Sequence, residues 1–305
     1  MFQKKEGEEK DFELSKGLLL SLLLKSLEVR QMIKRILIGL GGTPYTPVAM
    51  ERAVTLAQRY EASLTAVTMV KREQLVSLSG TPGCFQADAV EVGRPHVTEE
   101  KIEESIAAFE ASCSTAGIKY TVKLGSGNPF NLFISLARYH DIMVFGLRSI
   151  FEYRVSAEEP CVTLARLVSA GVRPIIAESS EFRPIRKALI AYSGSMESAK
   201  TMKRFIQLRP WPDVRLKIVT FERSEDEARQ LLYDASEYCR AHGFTVETES
   251  NPGPPKDFLL VLATMRQADV IVMGSSARSL LLKRVLGDTA MHIIKNTDRP
   301  LFLCQ

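Results

Sequence analysis

Two glycine-containing stretches in the last third of the chain combine residue types that bind anions. The first is Gly274-Ser275-Ser276-Ala277-Arg278 and the second is Gly287-Asp288-Thr289, which directly precedes a helix-like run. Glycine lets backbone N–H groups approach an anion closely, hydroxyl and guanidinium groups add donors, and a helix N-terminus adds a favourable dipole. These residues therefore predict a small site for phosphate.

A second set of the same type, Tyr192-Ser193-Gly194-Ser195, follows an earlier apolar run. A purely structural interpretation fits both sets as well, because glycine-containing loops are common and weak signals. In that interpretation Gly274 turns the chain, Asp288 is an ordinary N-cap, and the nearby basic residues form a solvated face. The local residues alone leave both interpretations open.

Histidine and cysteine spacing gives no sign of a metal centre or a catalytic triad. The cysteines are odd in number and lie far apart without a CxxC pair, so neither a disulfide framework nor a zinc site is indicated. The histidines do not pair at metal-ligand spacing. We expect reduced thiols and a cytoplasmic protein without a metal. The residues concerned are Cys84, Cys113, Cys161, Cys239, Cys304, His96, His140, His242 and His292.

Length and charge describe an ordinary globular chain. Its 305 residues suit two domains, and 45% hydrophobic with 25% charged residues argues against disorder. A net charge of +4 without a basic stripe makes nucleic acid an improbable partner. We predict an N-terminal extension over 1–31 and two domains over 32–180 and 181–305.

The extension joins a charged start to a short leucine run. The run is too short to span a bilayer, which needs about 20 helical residues, and no signal-peptide cleavage pattern follows it. Two interpretations remain open: an amphipathic helix that docks on another surface, or translated upstream sequence with Met32 as the natural start.

The chain contains an internal repeat, which predicts its architecture. Lys34–Thr43 resembles Arg186–Ser195, 152 positions later, whereas Cys113 and Gly117 match Cys239 and Gly243 at a spacing of 126. The difference corresponds to an insertion of 26 residues in the first half, within a stretch rich in Gly, Pro and Ser.

Within each repeat, apolar strands alternate with amphipathic helices. This order predicts two tandem α/β units, each a doubly wound parallel five-stranded sheet with helices on both faces. Ligands of such sheets bind beyond the carboxyl ends of the strands where strand order reverses, and Ser193 and Gly274 follow strands of this kind.

The second half resembles the universal stress protein family, whose sequence near the end is G-x2-G-x9-G-(S/T). Here Gly274, Ala277, Gly287 and Asp288 keep the spacing, and two of the four residue types match. The first half is similar more loosely, so the chain from Met32 looks like a tandem universal stress protein. The resemblance implies an adenine nucleotide alpha hydrolase-like fold. It also implies ATP, sometimes with a divalent cation, with the loop around the phosphates and an aspartate near the nucleoside.

Several positions depart from that pattern. The aspartate position holds Gly41 in the first half and Ser193 in the second, and Cys161 lies opposite Gly287, so a vestigial first site is expected. If Ala277 needs positive φ, it costs on the order of 1 kcal/mol. Asp288 places a negative charge where the family has a hydroxyl, unless a cation bridges it to phosphate or Thr289 takes over.

Three functional hypotheses follow. The first is a cytoplasmic stress-response protein that binds ATP, ADP or AMP weakly in its second half, with Mg2+ as a candidate companion, and is non-catalytic or at most a slow ATPase. Its two halves would pair with each other, and a homodimer could form. The second is a scaffold without nucleotide. The third is an ATP-using enzyme, because Ser193–Ser198 resembles the S-G-G-x-D-S loop of PP-loop pyrophosphatases. The predicted nucleotide-binding residues are Ser193, Gly194, Ser195, Gly274, Ser275, Ser276, Ala277, Arg278, Gly287, Asp288 and Thr289.

Overall fold

A computed structural model describes residues 33–41, 43–69, 99–125, 129–147, 167–168, 174–274, 277–278 and 285–304. The extension over 1–31 and most of the predicted insertion lie outside these residues. The strands of the main sheet are β1 (Arg35–Gly39), β2 (Ser63–Met69), β3 (Tyr120–Gly125), β4 (Ile142–Gly146), β5 (Ile175–Glu178), β6 (Lys187–Ala191), β7 (Arg215–Thr220), β8 (Val246–Ser250), β9 (Val270–Gly274) and β12 (Leu301–Cys304).

These strands form one ten-stranded sheet in the order β3-β2-β1-β4-β5-β12-β9-β6-β7-β8. All neighbours within each half are parallel, whereas β5 and β12 pair antiparallel, with Phe302 opposite Ile176. The α/β class with two parallel five-stranded halves is therefore confirmed. The two halves share a single sheet because their last strands, "PIIAE" and "PLFLC", hydrogen-bond to each other.

Helices cover both faces of the sheet. They are α1 (Thr46–Tyr60), α2 (Glu99–Thr115), α3 (Pro129–Ala137), α4 (Met196–Leu208), α5 (Glu225–Ala241), α6 (Pro255–Met265) and α7 (Asp288–Asn296). One buried cluster contains side chains of α1, α2, α4 and α5, and a second contains those of α3, α6 and α7. Strands such as β4 are buried at every position, which agrees with a sheet covered on both sides.

Matching aspartates reproduce the repeat at the start of β4 and β9. The Asp141 carboxylate accepts hydrogen bonds from the backbone amides of Lys34 and Arg35 at 2.8 and 3.0 Å. The Asp269 carboxylate accepts from the amides of Arg186 and Lys187 at 2.8 and 2.9 Å. Each carboxylate thus ties the beginning of one central strand to the beginning of its neighbour.

Side-chain contacts also join the two halves. The Tyr60 hydroxyl donates to the Arg209 carbonyl. Arg52 Nε donates to Glu178 Oε1 at 2.6 Å, and the Arg52 guanidinium lies 5.6 Å from the ring centroid of Trp211. Arg52 and Glu178 are fully buried, so this ion pair lies in the core at the junction.

Local hydrogen bonds define the ends of two helices. Helix α3 ends at Ala137, because the amides of Tyr139 and His140 bond only three residues back. At the start of α5 the Ser224 hydroxyl accepts from the Glu227 amide, and the Glu222 carboxylate accepts from the Ser224 amide.

Candidate nucleotide site

The sheet has a reversal of strand order between β6 and β9. From β6 the chain proceeds outward to β7 and β8, then returns to β9 and β12 on the other side. The carboxyl ends of β6 and β9, here called the switch edge, are therefore where a doubly wound fold places a ligand. Ser193 to Ser195 follow β6, and Gly274 ends β9.

Two helices begin at the switch edge. Helix α4 follows β6, and α7 leads into the start of β12, so topology places the N-termini of both helices at the carboxyl edge of the parallel strands. They pack on opposite faces of the sheet. Their unpaired N-terminal amides and dipoles favour an anion at this edge.

Three serine hydroxyls meet at the start of α4. Ser195 is the N-cap, and its Oγ accepts from the Ser198 amide at 3.2 Å. Ser193 Oγ lies 3.1 Å from Ser195 Oγ and 3.3 Å from Ser198 Oγ. Ser198 is buried, whereas Ser193 is exposed. The hydroxyls therefore satisfy one another, and a bound phosphate would have to replace some of these bonds.

Gly194 has a φ of +73°, which favours glycine. A Cβ at Gly194 would lie 2.6 Å from Leu231 Cδ2 on α5. Leu231 was not predicted from the sequence. The leucine lies beside Gly194, the exposed residue that follows the position of the family's aspartate.

Gly274 has a packing function that its neighbours in sequence do not reveal. A Cβ there would lie 2.8 Å from the Glu197 carbonyl oxygen and 3.1 Å from the Ser198 nitrogen. The end of β9 therefore packs against the first turn of α4. This contact brings the two glycine-containing stretches together, and it supports the structural interpretation of Gly274 beside the anion-binding one.

Two short strands between Gly274 and Gly287 pair with each other. β10 (Ala277–Arg278) pairs antiparallel with β11 (Val285–Leu286). Ala277 is in an extended strand, so the strain cost of a positive φ does not arise. Ser275, Ser276 and the side chain of Arg278 lie outside the described residues.

Helix α7 begins one residue earlier than the structural interpretation of Asp288 implies. Gly287 is the N-cap, and among the residues that the structure describes no side chain caps this helix. Asp288 is the first helical residue and is exposed, so the interpretation of Asp288 as the N-cap was wrong. The carboxylate lies in the first turn, where the helix dipole stabilises a negative charge.

Comparison with known proteins agrees with these features. The model of the universal stress protein family matches residues 206–305. A universal stress protein of Synechocystis sp. is 20% identical over 284 residues, which is 88% of this chain and 99% of that protein. Residues 206–305 thus match the universal stress protein family, and the similarity to one of its members extends over most of the chain.

Solved structures show the same fold over almost the whole chain. A universal stress protein from Archaeoglobus fulgidus has a TM-score of 0.64 at 17% identity, covering 90% of this chain and 97% of its own. A functionally unknown protein from Pseudomonas aeruginosa has a TM-score of 0.56 at 13% identity, covering 90% and 93%. Such matches over both halves support two tandem units of the same fold.

The first half of the chain differs at the equivalent edge. The Gly41 carbonyl accepts from the Ser105 hydroxyl at 3.0 Å, and Gly41 is buried. Ser105 lies 126 positions before Leu231, so both halves place an α-helical side chain beside the end of the first strand. Residues 148–166, including Cys161, lie outside the described residues, and the loss of the first site stays a prediction.

Membrane and metal sites were also considered. In the described ranges no helix is long and apolar enough to cross a membrane. Over the same ranges, histidine, cysteine and carboxylate side chains form no group of three that could hold a metal ion.

Proposed function

We propose that this chain binds an adenine nucleotide weakly at the switch edge of its second half, without catalysing its turnover. The observation that carries the proposal is the strand reversal between β6 and β9, which places the N-termini of α4 and α7 at one edge. The spacing from Gly274 to Gly287, which resembles the family pattern, supports the same edge.

The proposed ligand contacts come from backbone and hydroxyl groups. The amides at the start of α7 would take one phosphate group, because no side chain caps that helix. The Ser193 and Ser195 hydroxyls would reorient toward the ligand, and Thr289 would add a donor. Asp288 repels phosphate, so AMP or ADP should bind at least as well as ATP unless Mg2+ bridges the charges.

The stress-response role of the family fits a protein that acts in the cytoplasm by binding a nucleotide. The two halves would act as an internal dimer, joined by β5 and β12. Slow ATP hydrolysis would appear as phosphate release that increases linearly with protein concentration.

A scaffold without nucleotide is the second candidate. Two observations favour it: the Leu231 side chain lies close to Gly194, and the serine hydroxyls already bond to one another. Under this alternative the switch edge is a packed structural corner, and the protein acts only through partner surfaces.

Calorimetric titration of the full chain separates the two candidates. ATP, ADP and AMP would each be titrated with and without Mg2+. We expect micromolar to millimolar binding of at least one nucleotide, with one site per chain. No heat in any of the six titrations would favour the scaffold.

A further inference from the structure

An exposed apolar stripe runs along helix α6. Phe258, Val261 and Met265 are 39%, 49% and 64% exposed, and their i, i+3, i+7 spacing places them on one face. The opposite face of α6 is buried against the sheet through Leu259 and Leu262. The apolar stripe is therefore a second hydrophobic face on a helix that already has a buried one.

The size of the apolar stripe limits what can cover it. Three side chains exposed to this extent present on the order of 250 Å2. A stable complex between separate proteins needs about 800 Å2 from each partner. A separate partner protein would gain too little binding free energy from the apolar stripe alone. A segment of the same chain needs less buried area, because tethering gives an effective concentration in the millimolar range.

The chain itself contains a segment with matching chemistry. Residues 17–27, here called the leucine segment, read GLLLSLLLKSL and contain seven leucines. A run of this kind, too short for a membrane span, gains free energy only by covering another apolar surface. It precedes Ile33, which is fully buried at the start of β1.

The connection is long enough to reach the second half. From β1 to β9, the strand that follows α6, is four strand spacings, or about 20 Å. The chain from Leu24 to Ile33 can extend over about 30 Å, and from Leu20 over about 43 Å. The leucine segment can therefore reach the second half without disturbing β1.

We propose that the leucine segment docks on the apolar stripe of α6 in the same chain. The docked segment covers the exposed apolar side chains of α6. The docking is independent of the nucleotide, because the stripe lies on the outer face of α6 and includes none of the residues proposed to bind the nucleotide.

Photo-crosslinking in the full chain tests this proposal. Benzoylphenylalanine would replace Leu22, and trypsin would then release the peptides 17–25 and 257–266, the second of which contains the apolar stripe. We expect the major crosslink to join these two peptides within one chain. The double variant V261E/M265E should reduce its yield at least fivefold.

The matched control is Tyr139→Glu. Tyr139 lies 126 positions before Met265, just beyond the equivalent helix α3, and is 67% exposed. This variant should leave the crosslink unchanged. Circular dichroism would confirm that the variants fold. A crosslink between two chains, a major crosslink elsewhere, its absence, or an unchanged yield in V261E/M265E would each overturn the proposal.

Discussion

At the scale of single residues, Gly274 and Asp288 affect the proposed site in opposite directions. Gly274 has no Cβ to collide with the Glu197 carbonyl, and so it lets β9 meet the start of α4. Asp288 adds a negative charge to the first turn of α7, which stabilises that helix but opposes phosphate. Affinity for a nucleotide should therefore be limited by one exposed carboxylate.

Replacing Asp288 by serine should strengthen nucleotide binding. The variant removes the repulsion and restores the hydroxyl of the family pattern, and we expect Kd for ATP without Mg2+ to fall about tenfold, or ~1.4 kcal/mol. Calorimetry would measure it. Asp298→Ser is the control, because it removes the same charge from an exposed position. An equal gain in both variants would mean that net charge, and not the site, is responsible.

His140 gives the molecule a specific pH dependence. Its Nδ1–H donates to the Leu136 carbonyl at 2.7 Å, so Nε2 accepts from the Thr65 hydroxyl at 2.9 Å. Burial lowers the pKa of His140 from its ordinary value of 6.5. The folded chain then holds a neutral imidazole where the unfolded chain binds a proton, so the free energy of unfolding decreases as pH falls below about 6.5.

Urea unfolding at pH 7.5 and 5.5 would test this effect. We expect His140→Gln to lose less stability over this interval than the unchanged protein, although it is less stable at pH 7.5. His242→Gln, at an exposed position, should keep the original pH dependence. Identical pH dependence in all three proteins would mean that burial does not lower the pKa of His140 in the folded state.

At the scale of elements, the strand beginnings are held by Asp141 and Asp269. Removing the Asp269 carboxylate leaves the amides of Arg186 and Lys187 without their acceptor. Hydrogen bonds to charged acceptors contribute about 1.5 to 3 kcal/mol, and these groups are partly exposed, so Asp269→Ala should cost ~2 kcal/mol.

Chemical denaturation would measure that loss as a lower midpoint with an unchanged slope. Asp226→Ala is the control: its exposed ion pair with Arg229 should contribute less than 1 kcal/mol. Similar losses in the two variants would contradict the structural function of Asp269.

The sequence predicted the order of the elements but not the contacts between them. The alternation of apolar runs and helical periodicity predicted the order of strands and helices, and the family resemblance predicted that the two halves would pair with each other. The contact of Leu231 with Gly194, and of Gly274 with α4, joins residues far apart in sequence. No local pattern encodes such distances, because they depend on how the helices pack on the finished sheet.

At the scale of the whole molecule, one buried ion pair of the first half, Arg52 with Glu178, lies where the two halves meet, because Arg52 also contacts residues of the second half. Arg52 Nε donates to Glu178, its terminal nitrogen donates to the Arg183 carbonyl at 2.7 Å, and its guanidinium stacks 4.4 Å from the Phe182 ring centroid. Glu178 Oε2 is buried without a hydrogen-bond partner. The ion pair with Arg52 therefore stabilises the charged form of the carboxylate. Burial raises the pKa of Glu178, and Arg52 opposes that rise.

A double-mutant cycle would test this pair. Arg52→Met leaves a buried carboxylate alone, and we expect it to cost about 3 to 5 kcal/mol of unfolding free energy. Adding Glu178→Leu should recover most of that loss, because the apolar pair needs no compensating charge. Additive losses in the double variant would mean that the two side chains do not interact at the junction.

Hydrogen exchange of the full chain with and without saturating nucleotide tests the central claim most directly. The account predicts slower exchange in residues 192–200 and 287–291 of the second half, with residues 34–41 of the first half unchanged. Protection of the first-half residues, or no protection in the second half at nucleotide concentrations up to the millimolar range, would contradict it.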